Sequence, residues 1–301
     1  MEVAAPSVGL GQPLAPQAEA AAALRHRRDL ERDGPVRRGD LHLGPQHRLP
    51  RPEWEVHLEV VARDTERRTI DRAHVEVQVA GRALADTANQ IAAALDAGDL
   101  DHARAALPGL VGRDPSGLDE KEIARAVVES VAENTVDAIV APALWAAVAG
   151  GPGALGYRAV NTLDAMVGHR NPRYQRYGWA SARLDDLAAW VPARAVAGLV
   201  MAVRPGAAAQ VWAAVRRDAP AHPSPNAGVA EAAFAGALGL RLGGTNRYGD
   251  RVELRPPLGE GRPPERGDIA AAVRLSRDVS LALAAGLVAA PLIRRARGGR
   301  T

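Results

Sequence analysis

Three acidic residues at four-residue intervals could place a row of carboxylates on one face of a helix. Glu129, Glu133 and Asp137 have this spacing, and side chains four residues apart lie above one another on a helix. Because like charges at this distance repel, a divalent metal bound through carboxylate oxygens would stabilise the row. A solvated helix face is the alternative. The uncharged segment that follows favours a functional site, because polar groups beside such a segment are costly.

A second polar group leads into a basic loop. Arg158, Asn161 and Asp164 are spaced to share one face of a helix that is predicted to end at Met166-Val167-Gly168. His169 follows, and it could donate or accept a proton or simply be a surface residue. Arginines bind phosphate through paired hydrogen bonds, and the loop offers three of them: Arg170, Arg173 and Arg176.

Asp185 and Asp186 are adjacent carboxylates that the pattern predicts at the opening of a helix. Acidic residues are favourable in a first turn, and a pair of them can also hold Mg²⁺ with few other protein ligands. The glycine-containing segment 242–246 could approach a phosphate closely. It lacks the lysine and the spacing of a P-loop, so it is a weak phosphate signal.

A proline-rich turn, His222-Pro223-Ser224-Pro225-Asn226-Ala227-Gly228, precedes another apolar segment. The prolines fix an extended conformation, and Asn226 is predicted to cap a helix that begins near Val229. Glu231 is expected in the first turn of this helix.

The composition indicates a helical protein. Of 301 residues, 47% are hydrophobic but only 3% are aromatic, and alanine is abundant. The absence of cysteine excludes disulfide scaffolds, cysteine-ligated metals and thiol nucleophiles. A net charge of +3, with 38 basic and 35 acidic residues, does not indicate nucleic-acid binding.

Helical periodicity begins at Gly81. Asp119 followed by Glu122 forms a capping-box pattern, which predicts a helix from about Glu120 to Asn134. Three apolar stretches then follow, and each could cross a membrane or lie buried in a helical bundle. They cover Ala138 to Tyr157, Leu187 to Val203 and Val279 to Ile293. The first contains several glycines and prolines, so a helix–turn–helix fits it as well as a single span.

Residues 1–80 differ in composition from the rest of the chain. They are rich in Arg, Pro, Gly and acidic residues and contain five of the eight histidines, at spacings that match no metal site. We expect a poorly ordered N-terminal arm here, followed by a helical domain at 81–301.

Several long motifs resemble the CobD/CbiB family. The resemblance covers the chain from about Gly81 onward and rests on the following segments: Val111-Gly112-Arg113-Asp114, Val128 to Asp137, Tyr157 to His169, Gly178 to Asp186 and Ser224 to Gly228.

The resemblance implies an adenosylcobinamide-phosphate synthase of cobalamin biosynthesis, in a helical, multi-pass cell-membrane protein with polar loops. Such an enzyme is an acid–amine ligase. It joins aminopropanol, or its phosphate, to adenosylcobyric acid through an amide bond and uses ATP with Mg²⁺. Activating a carboxylate as an acyl phosphate would need cations to neutralise the phosphate and a base to deprotonate the amine. No nucleic-acid partner is expected.

The site residues follow from the two arguments together. We assign catalytic roles to Glu129, Glu133, Asp137 and His169. We assign Mg²⁺ binding to Asp185 and Asp186. Substrate binding is assigned to Asn134, Arg158, Asn161, Asp164, Arg170, Arg173, Arg183 and Asn226.

The N-terminal segment departs from the family pattern. Family members begin with apolar membrane segments and an Asp-Pro…His-Pro-Val motif, and residues 1–80 contain neither. A frameshifted or misassigned start would produce such a segment. The alternative to a ligase is therefore an inactive relative, or a helical membrane scaffold that lacks the reaction.

Overall fold

The structure is a computed structural model of the chain, and it describes residues 80–167, 178–248 and 251–298. Within these ranges the chain is mostly helical, and its strands form one antiparallel hairpin. The predicted mainly α class is therefore confirmed. Residues 1–79 of the predicted N-terminal arm lie outside the described residues.

The first helices follow their local capping signals. Helix α1 covers residues 80–96, and α2 covers Leu100–Ala106. Helix α3, Glu120–Asn134, has both bonds of the predicted capping box. The Glu122 amide donates to Asp119 at 2.8 Å, and the Asp119 amide donates to Glu122 at 3.0 Å.

Helix α3 ends at Asn134, and the chain continues without a turn as a π-helical segment over Thr135–Val140. A π-helical turn contains an extra residue, so it rotates the residues that follow. Asp137 lies inside this segment. Glu129, Glu133 and Asp137 therefore do not lie on one continuous α-helix, which is the condition under which their spacing would place them on one face.

The first apolar stretch is a broken helix. Helix α4 covers Ala141–Val167, but Ala149 and Gly150 have non-helical backbone angles, and Gly150 has a φ of +64°. Pro152 lies two residues after Gly150, and its ring nitrogen has no amide hydrogen to donate. The helix–turn–helix alternative is the one that the structure adopts.

The next two described helices are α5, at Gly178–Ala188, and α6, at Trp190–Val203. Asp185 and Asp186 lie near the end of α5, not at its start. The prediction that Asp185 and Asp186 open a helix was wrong, because the helix that contains them begins earlier, at Gly178.

Three helices and the hairpin complete the described fold. Helix α7 covers Ala208–Arg217, α8 covers Ala227–Leu238 and α9 covers Arg266–Gly298. The strands are β1, Leu242–Tyr248, and β2, Arg251–Leu258. Nothing in the apolar pattern predicted these strands, because segment 242–246 is mostly small or polar.

The core lies where α3, α8 and α9 pack together. Helix α8 is buried nearly all round, and Phe234 is its largest fully buried side chain. A buried hydrogen bond of 2.7 Å from Thr135 to Ser276 joins the π-helical segment to α9. This core holds α3 in place along most of its length.

Two helical stretches, Glu120–Val167 and Gly178–Val203, are long and apolar enough to cross a membrane. One third of the apolar window in each is buried inside the protein. Several large apolar side chains of α4 to α6 are exposed: Val148, Leu155, Leu163, Met166, Trp179, Leu184, Leu187, Trp190 and Val191. These features suggest membrane association only weakly, since core helices of soluble proteins have the same length and composition.

Candidate functional site

Glu129 is surrounded by arginine side chains. Its Oε2 accepts a hydrogen bond of 2.8 Å from Arg113, and its Oε1 lies 3.2 Å from Nη1 of Arg125. The amide of Gly243 donates to the same Oε1 at 2.9 Å. All three ionic side chains are almost fully buried. The cation that stabilises this carboxylate is therefore arginine, where the sequence suggested a metal.

The same arginines hold the hairpin against α3. Asn246 accepts hydrogen bonds from Arg113 at 2.5 Å and from Arg125 at 3.2 Å. Arg125 also donates to the carbonyl oxygen of Thr245 at 2.9 Å. Segment 242–246, considered above as a phosphate loop, thus accepts hydrogen bonds from the arginine cluster.

Glu133, one turn after Glu129, meets a second carboxyl group. Its side chain, 37% exposed, hydrogen-bonds to Glu231 of α8, whose side chain is 1% exposed. Oε1 of Glu231 has no hydrogen-bond partner among the described residues. Burial, together with the charges of Glu133 and Glu129, raises the pKa of Glu231 well above its ordinary value. The protonated form of Glu231 is therefore favoured.

His222 and Arg255 complete the surroundings of this carboxyl pair. Nη1 of Arg255 lies 3.9 Å from both glutamates and 3.2 Å from Nε2 of His222. Because a guanidinium can only donate, the bond from Arg255 requires Nε2 to accept, which places the ring proton on Nδ1. Nδ1 then donates to the Ser224 carbonyl oxygen at 3.1 Å and does not accept from the Ser224 amide, which lies 3.2 Å away. Burial lowers the pKa of His222, and the charge of Arg255 lowers it further.

Asp137 belongs to a second polar group, formed by three separate segments. Tyr157 of α4 donates to Asp137 at 3.3 Å, and Asn161 donates to Asp185 of α5 at 3.2 Å. Asn161 also hydrogen-bonds to Asp137. One amide side chain therefore bridges two carboxylates that are distant in sequence.

Further charged residues surround this group, which we call the Asp137–Asp185 group. Asp164 and Asp186 are close enough to Asp185 to interact with it electrostatically. Two arginines lie at its edge, Arg158 beside Tyr157 and Arg183 beside Asp186. The structure thus brings together predicted residues that lie up to 49 positions apart, from Asp137 to Asp186.

The Asp137–Asp185 group has oxygen donors of the kind that Mg²⁺ prefers. Among the described residues, no three His, Asp or Glu side chains are arranged to hold a metal ion by themselves. Mg²⁺ is commonly bound by one or two carboxylates together with the phosphates of a substrate. The donor chemistry of Asp137 and Asp185 is compatible with Mg²⁺ bound in that form.

Two predicted substrate-binding amides make internal hydrogen bonds. Asn134 donates to the Ser130 carbonyl oxygen at 2.9 Å. Asn226 accepts from Arg194 and donates to the Asp186 carbonyl oxygen, both at 2.8 Å. Asn226 occupies the N-cap position of α8, but its side chain makes no capping bond, and the helix begins at Ala227.

The capping prediction for Asn226 was therefore wrong in its details. The hydroxyl of Ser224 accepts instead from the amides of Asn226 and Ala227. Glu231 consequently lies in the second turn of α8 and not in the first. The Asn226 side chain is committed to a contact between α5 and α6, which local sequence cannot reveal.

A cleft of about 670 Å³ lies between the hairpin and the start of α3. Four basic side chains line it: Lys121, Arg125, Arg241 and Arg255. Asp119 and Glu122, which form the capping box of α3, also line it. Arg255 connects this cleft to the carboxyl pair of Glu133 and Glu231.

The predicted loop residues His169, Arg170 and Arg173, with Arg176, lie in the range 168–177, outside the described residues. Their assignments stay predictions.

The residues that the sequence argument missed are Arg113, Arg125, His222, Glu231 and Arg255. One signal was available, because Glu231 is the one charged residue in the otherwise apolar segment Ala227–Leu238. A single carboxyl group in a buried apolar helix is costly and indicates a specific role. The arginines carried no comparable local signal.

Comparison with known proteins decides the family. The CobD/Cbib protein family matches residues 56–276, which is most of the chain. The chain belongs to the CobD/CbiB family. The match begins at residue 56, before Gly81, where the motif resemblance begins. It therefore includes part of the segment expected to be an N-terminal arm.

Curated CobD/CbiB relatives carry the name cobalamin biosynthesis protein CobD. The Mycobacterium tuberculosis protein is 46% identical over 301 aligned positions, covering 95% of this chain and 91% of its own length. The Rhodobacter capsulatus protein is 50% identical and covers 70% of this chain and 68% of its own length. The Chromobacterium violaceum protein is 48% identical, and the alignment covers 71% of this chain and 69% of the length of that protein. No solved structure matches the chain.

Proposed function

We propose that this chain is an adenosylcobinamide-phosphate synthase, which forms an amide bond between adenosylcobyric acid and aminopropanol or its phosphate at the expense of ATP. Membership of the CobD/CbiB family and relatives named for cobalamin biosynthesis support a corrinoid substrate. The observation that carries the reaction type is the Asp137–Asp185 group, where Asn161 bridges two carboxylates from separate helices.

Amide formation from a carboxylate requires activation of a poor electrophile. In this proposal the carboxylate would be activated by phosphorylation from ATP, and bound Mg²⁺ would supply positive charge to neutralise the transferred phosphate. Asp137 and Asp185 would hold the metal together with the phosphates, and Asn161 would orient both carboxylates. Asp164 and Asp186 add negative charge around this position.

The arginines at the edge of the group bind phosphate or a corrin carboxylate. The interactions of Arg158 with Tyr157 and of Arg183 with Asp186 support this role. We extend the proposed binding role to Arg170 and Arg173, and a role in proton transfer to His169, on the sequence alone. Asn134 and Asn226 support the site through their helix contacts.

Glu133 is the general base of the proposed reaction. Glu133 is more exposed than Glu129, and no arginine contacts it as closely as those that surround Glu129. A base must be able to reach the attacking amine. Glu129, fully engaged by Arg113, Arg125 and Gly243, acts in our proposal by fixing the hairpin on α3.

We further propose that the chain resides in the cell membrane through α4 to α6. The exposed apolar side chains on these helices, with Trp179 at 64% exposure and Leu187 at 73%, would face lipid. Polar groups at the boundary of such a region are costly, which supports a functional role for the Asp137–Asp185 group.

The experiment that tests the reaction is an assay on membranes that contain this full chain. Adenosylcobyric acid, aminopropanol phosphate and Mg-ATP are supplied, and the corrinoid product is detected by mass spectrometry. A parallel assay with free aminopropanol shows whether the amine substrate must carry a phosphate. Parallel assays without ATP or without Mg²⁺ show whether the reaction requires each of them. A new amide that depends on both ATP and Mg²⁺ supports the proposal.

Asn161→Ala tests the site itself. Loss of an orienting partner of metal ligands commonly costs about 10–100-fold in metal affinity, so the Mg²⁺ concentration for half-maximal activity should rise by that factor. Glu120→Gln, on the exposed start of α3, is the matched control and should behave as the wild type.

An unchanged Mg²⁺ requirement in Asn161→Ala would remove the Asp137–Asp185 group from the proposed mechanism. Absence of product from the unmodified chain, with activity restored by an N-terminus that carries the Asp-Pro…His-Pro-Val motif, would favour the inactive-relative alternative.

A further inference from the structure

The contact between Glu133 and Glu231 is the least expected polar contact in the described structure. Glu231 is a carboxyl group at 1% exposure in an apolar helix, and its Oε1 has no hydrogen-bond partner among the described residues. Most buried polar groups in folded proteins have a partner, so such an atom requires an explanation. The oxygen is directed towards His222 and Arg255, at 3.7 Å and 3.9 Å.

Charged and titratable groups face Glu231 from three directions. Helix α3 contributes Glu133 and Glu129, the turn before α8 contributes His222, and strand β2 contributes Arg255. His222 is neutral, because its Nε2 accepts from Arg255. Two carboxylates therefore interact with Glu231 unfavourably, and one guanidinium, beyond hydrogen-bond distance, interacts with it favourably.

We propose that Glu133 and Glu231 share a single proton, and that Glu231 is a positioning residue that holds Glu133 ready to accept a proton from the amine substrate. The role in catalysis rests on the proposed function. The geometry of the Glu133–Glu231 pair is independent of the proposed function.

The location of the shared proton follows from exposure. Two adjacent carboxyl groups cannot both ionise without repulsion, so one of them keeps its proton. The desolvation cost of a charge is greater for Glu231, which is 1% exposed, than for Glu133, which is 37% exposed. Glu231 therefore carries the proton and donates it in a hydrogen bond to Glu133. The raised pKa of Glu231, caused first by burial, agrees with this arrangement.

This arrangement leaves Glu133 ionised and oriented, with solvent access on its other side. In the proposed reaction the amine nitrogen bonds to the activated carbonyl carbon. The bond from that carbon to the phosphate oxygen breaks, and phosphate leaves with the electron pair. One proton passes from nitrogen to Glu133, while the proton of Glu231 stays in place.

An infrared measurement tests the shared proton without any need for activity. The purified full chain at neutral pH should show the carbonyl stretching band of a protonated carboxylic acid. Glu231→Gln should weaken that band by the contribution of one carboxylic acid, whereas Glu133→Gln and the control Glu120→Gln should leave its intensity unchanged. A wild-type protein without the band would overturn the proposal. So would weakening of the band in Glu133→Gln with unchanged intensity in Glu231→Gln.

Kinetics then test the positioning role. Glutamine still donates a hydrogen bond to Glu133, so Glu231→Gln should keep its activity within about threefold and keep the wild-type pH profile. Glu231→Met has a similar length but no donor. In Glu231→Met the acidic limb of the pH profile should move up by about one pH unit, because ionised Glu133 loses its hydrogen-bond donor.

A role that is only structural would lower activity in Glu231→Met without moving the pH profile, and that outcome would overturn the positioning role. If Glu231→Met does not fold, Glu231→Gln alone decides, since its loss of activity would contradict hydrogen-bond donation as the function. The infrared result stands even if the chain makes no corrinoid product, so failure of this inference and failure of the proposed reaction are distinguishable.

Discussion

Arg113 and Glu129 form a buried ion pair, with Nη2 of the arginine 2.8 Å from Oε2 of the glutamate. Arg113 lies in the loop before α3, and Glu129 lies in the middle of that helix. Arg125 and Gly243 occupy the other oxygen of Glu129, so the carboxylate joins the loop, the helix and the hairpin. The ion pair therefore stabilises the arrangement that brings Arg255 of the hairpin beside Glu133.

Glu129→Ala is expected to lower the free energy of unfolding by about 3–5 kcal/mol, because it leaves two buried arginines without their carboxylate. Denaturant unfolding followed by circular dichroism measures this. Glu120→Gln, at an exposed position of the same helix, should change the value by no more than about 0.5 kcal/mol. Equal stabilities of Glu129→Ala and the wild type would show that the arginine cluster is not structural.

Gly243→Ala is expected to destabilise the hairpin. Gly243 has a φ of +83°, and an added Cβ would collide with the carbonyl oxygen of Pro256. Backbone strain of this kind costs about 1–3 kcal/mol, and the collision adds to it. Thermal unfolding and proteolysis within the hairpin measure the effect.

Gly267→Ala is the matched control for this prediction. Gly267 lies in α9 with open space where the Cβ would be placed, and alanine is favoured over glycine in a helix by about 1 kcal/mol. The control should therefore unfold at the same temperature as the wild type or a higher one. A hairpin that tolerates Gly243→Ala equally well would contradict the described close approach to Pro256.

Stability should fall as the pH drops below the ordinary pKa of histidine, partly because of His222. Burial and the charge of Arg255 lower the pKa of His222 below 6.5 in the folded protein. Below about pH 6.5 the unfolded chain therefore binds a proton that the folded chain does not bind. The free energy of unfolding decreases with falling pH, by up to about 1.4 kcal/mol per pH unit from this group.

His222→Gln removes this contribution and should flatten the decrease between about pH 6.5 and pH 5. Denaturant titrations at a series of pH values measure it. Glu231 contributes with the opposite sign, because its raised pKa favours the folded state at low pH and this contribution is lost as the pH rises. The wild type and His222→Gln both contain Glu231. The difference between their pH dependences of the free energy of unfolding therefore reports the contribution of His222. Identical slopes would show that His222 is not held neutral.

Leu187→Glu should shift the chain from the membrane fraction to the soluble or aggregated fraction. Leu187 is exposed on the helical stretch Gly178–Val203. A charge there would cost about 2.5–3.5 kcal/mol if the position lies near the centre of the bilayer. Leu254→Glu is the control, since Leu254 is 81% exposed on the hairpin, outside both candidate stretches. Equal partitioning of the two variants would argue against lipid contact at α5.

Local sequence signals predicted the helices well. The capping box at Asp119 and Glu122 marked the start of α3, because its two hydrogen bonds join residues only three positions apart. The glycines and the proline at 150–152 marked the break in α4 for the same reason. The hairpin was missed, since its stability depends on arginines that approach it from distant parts of the chain.

The sequence by itself determined the helical class, the family and most members of the Asp137–Asp185 group, because these depend on local spacing and on long motifs. Only the tertiary structure decided the state of each carboxylate. Glu129 and Glu133 are one turn apart on one helix, yet Glu129 is paired with arginines and Glu133 with a carboxyl group. The charge of an acidic side chain depends on burial and on neighbours from other segments, and no local pattern specifies which segments those are.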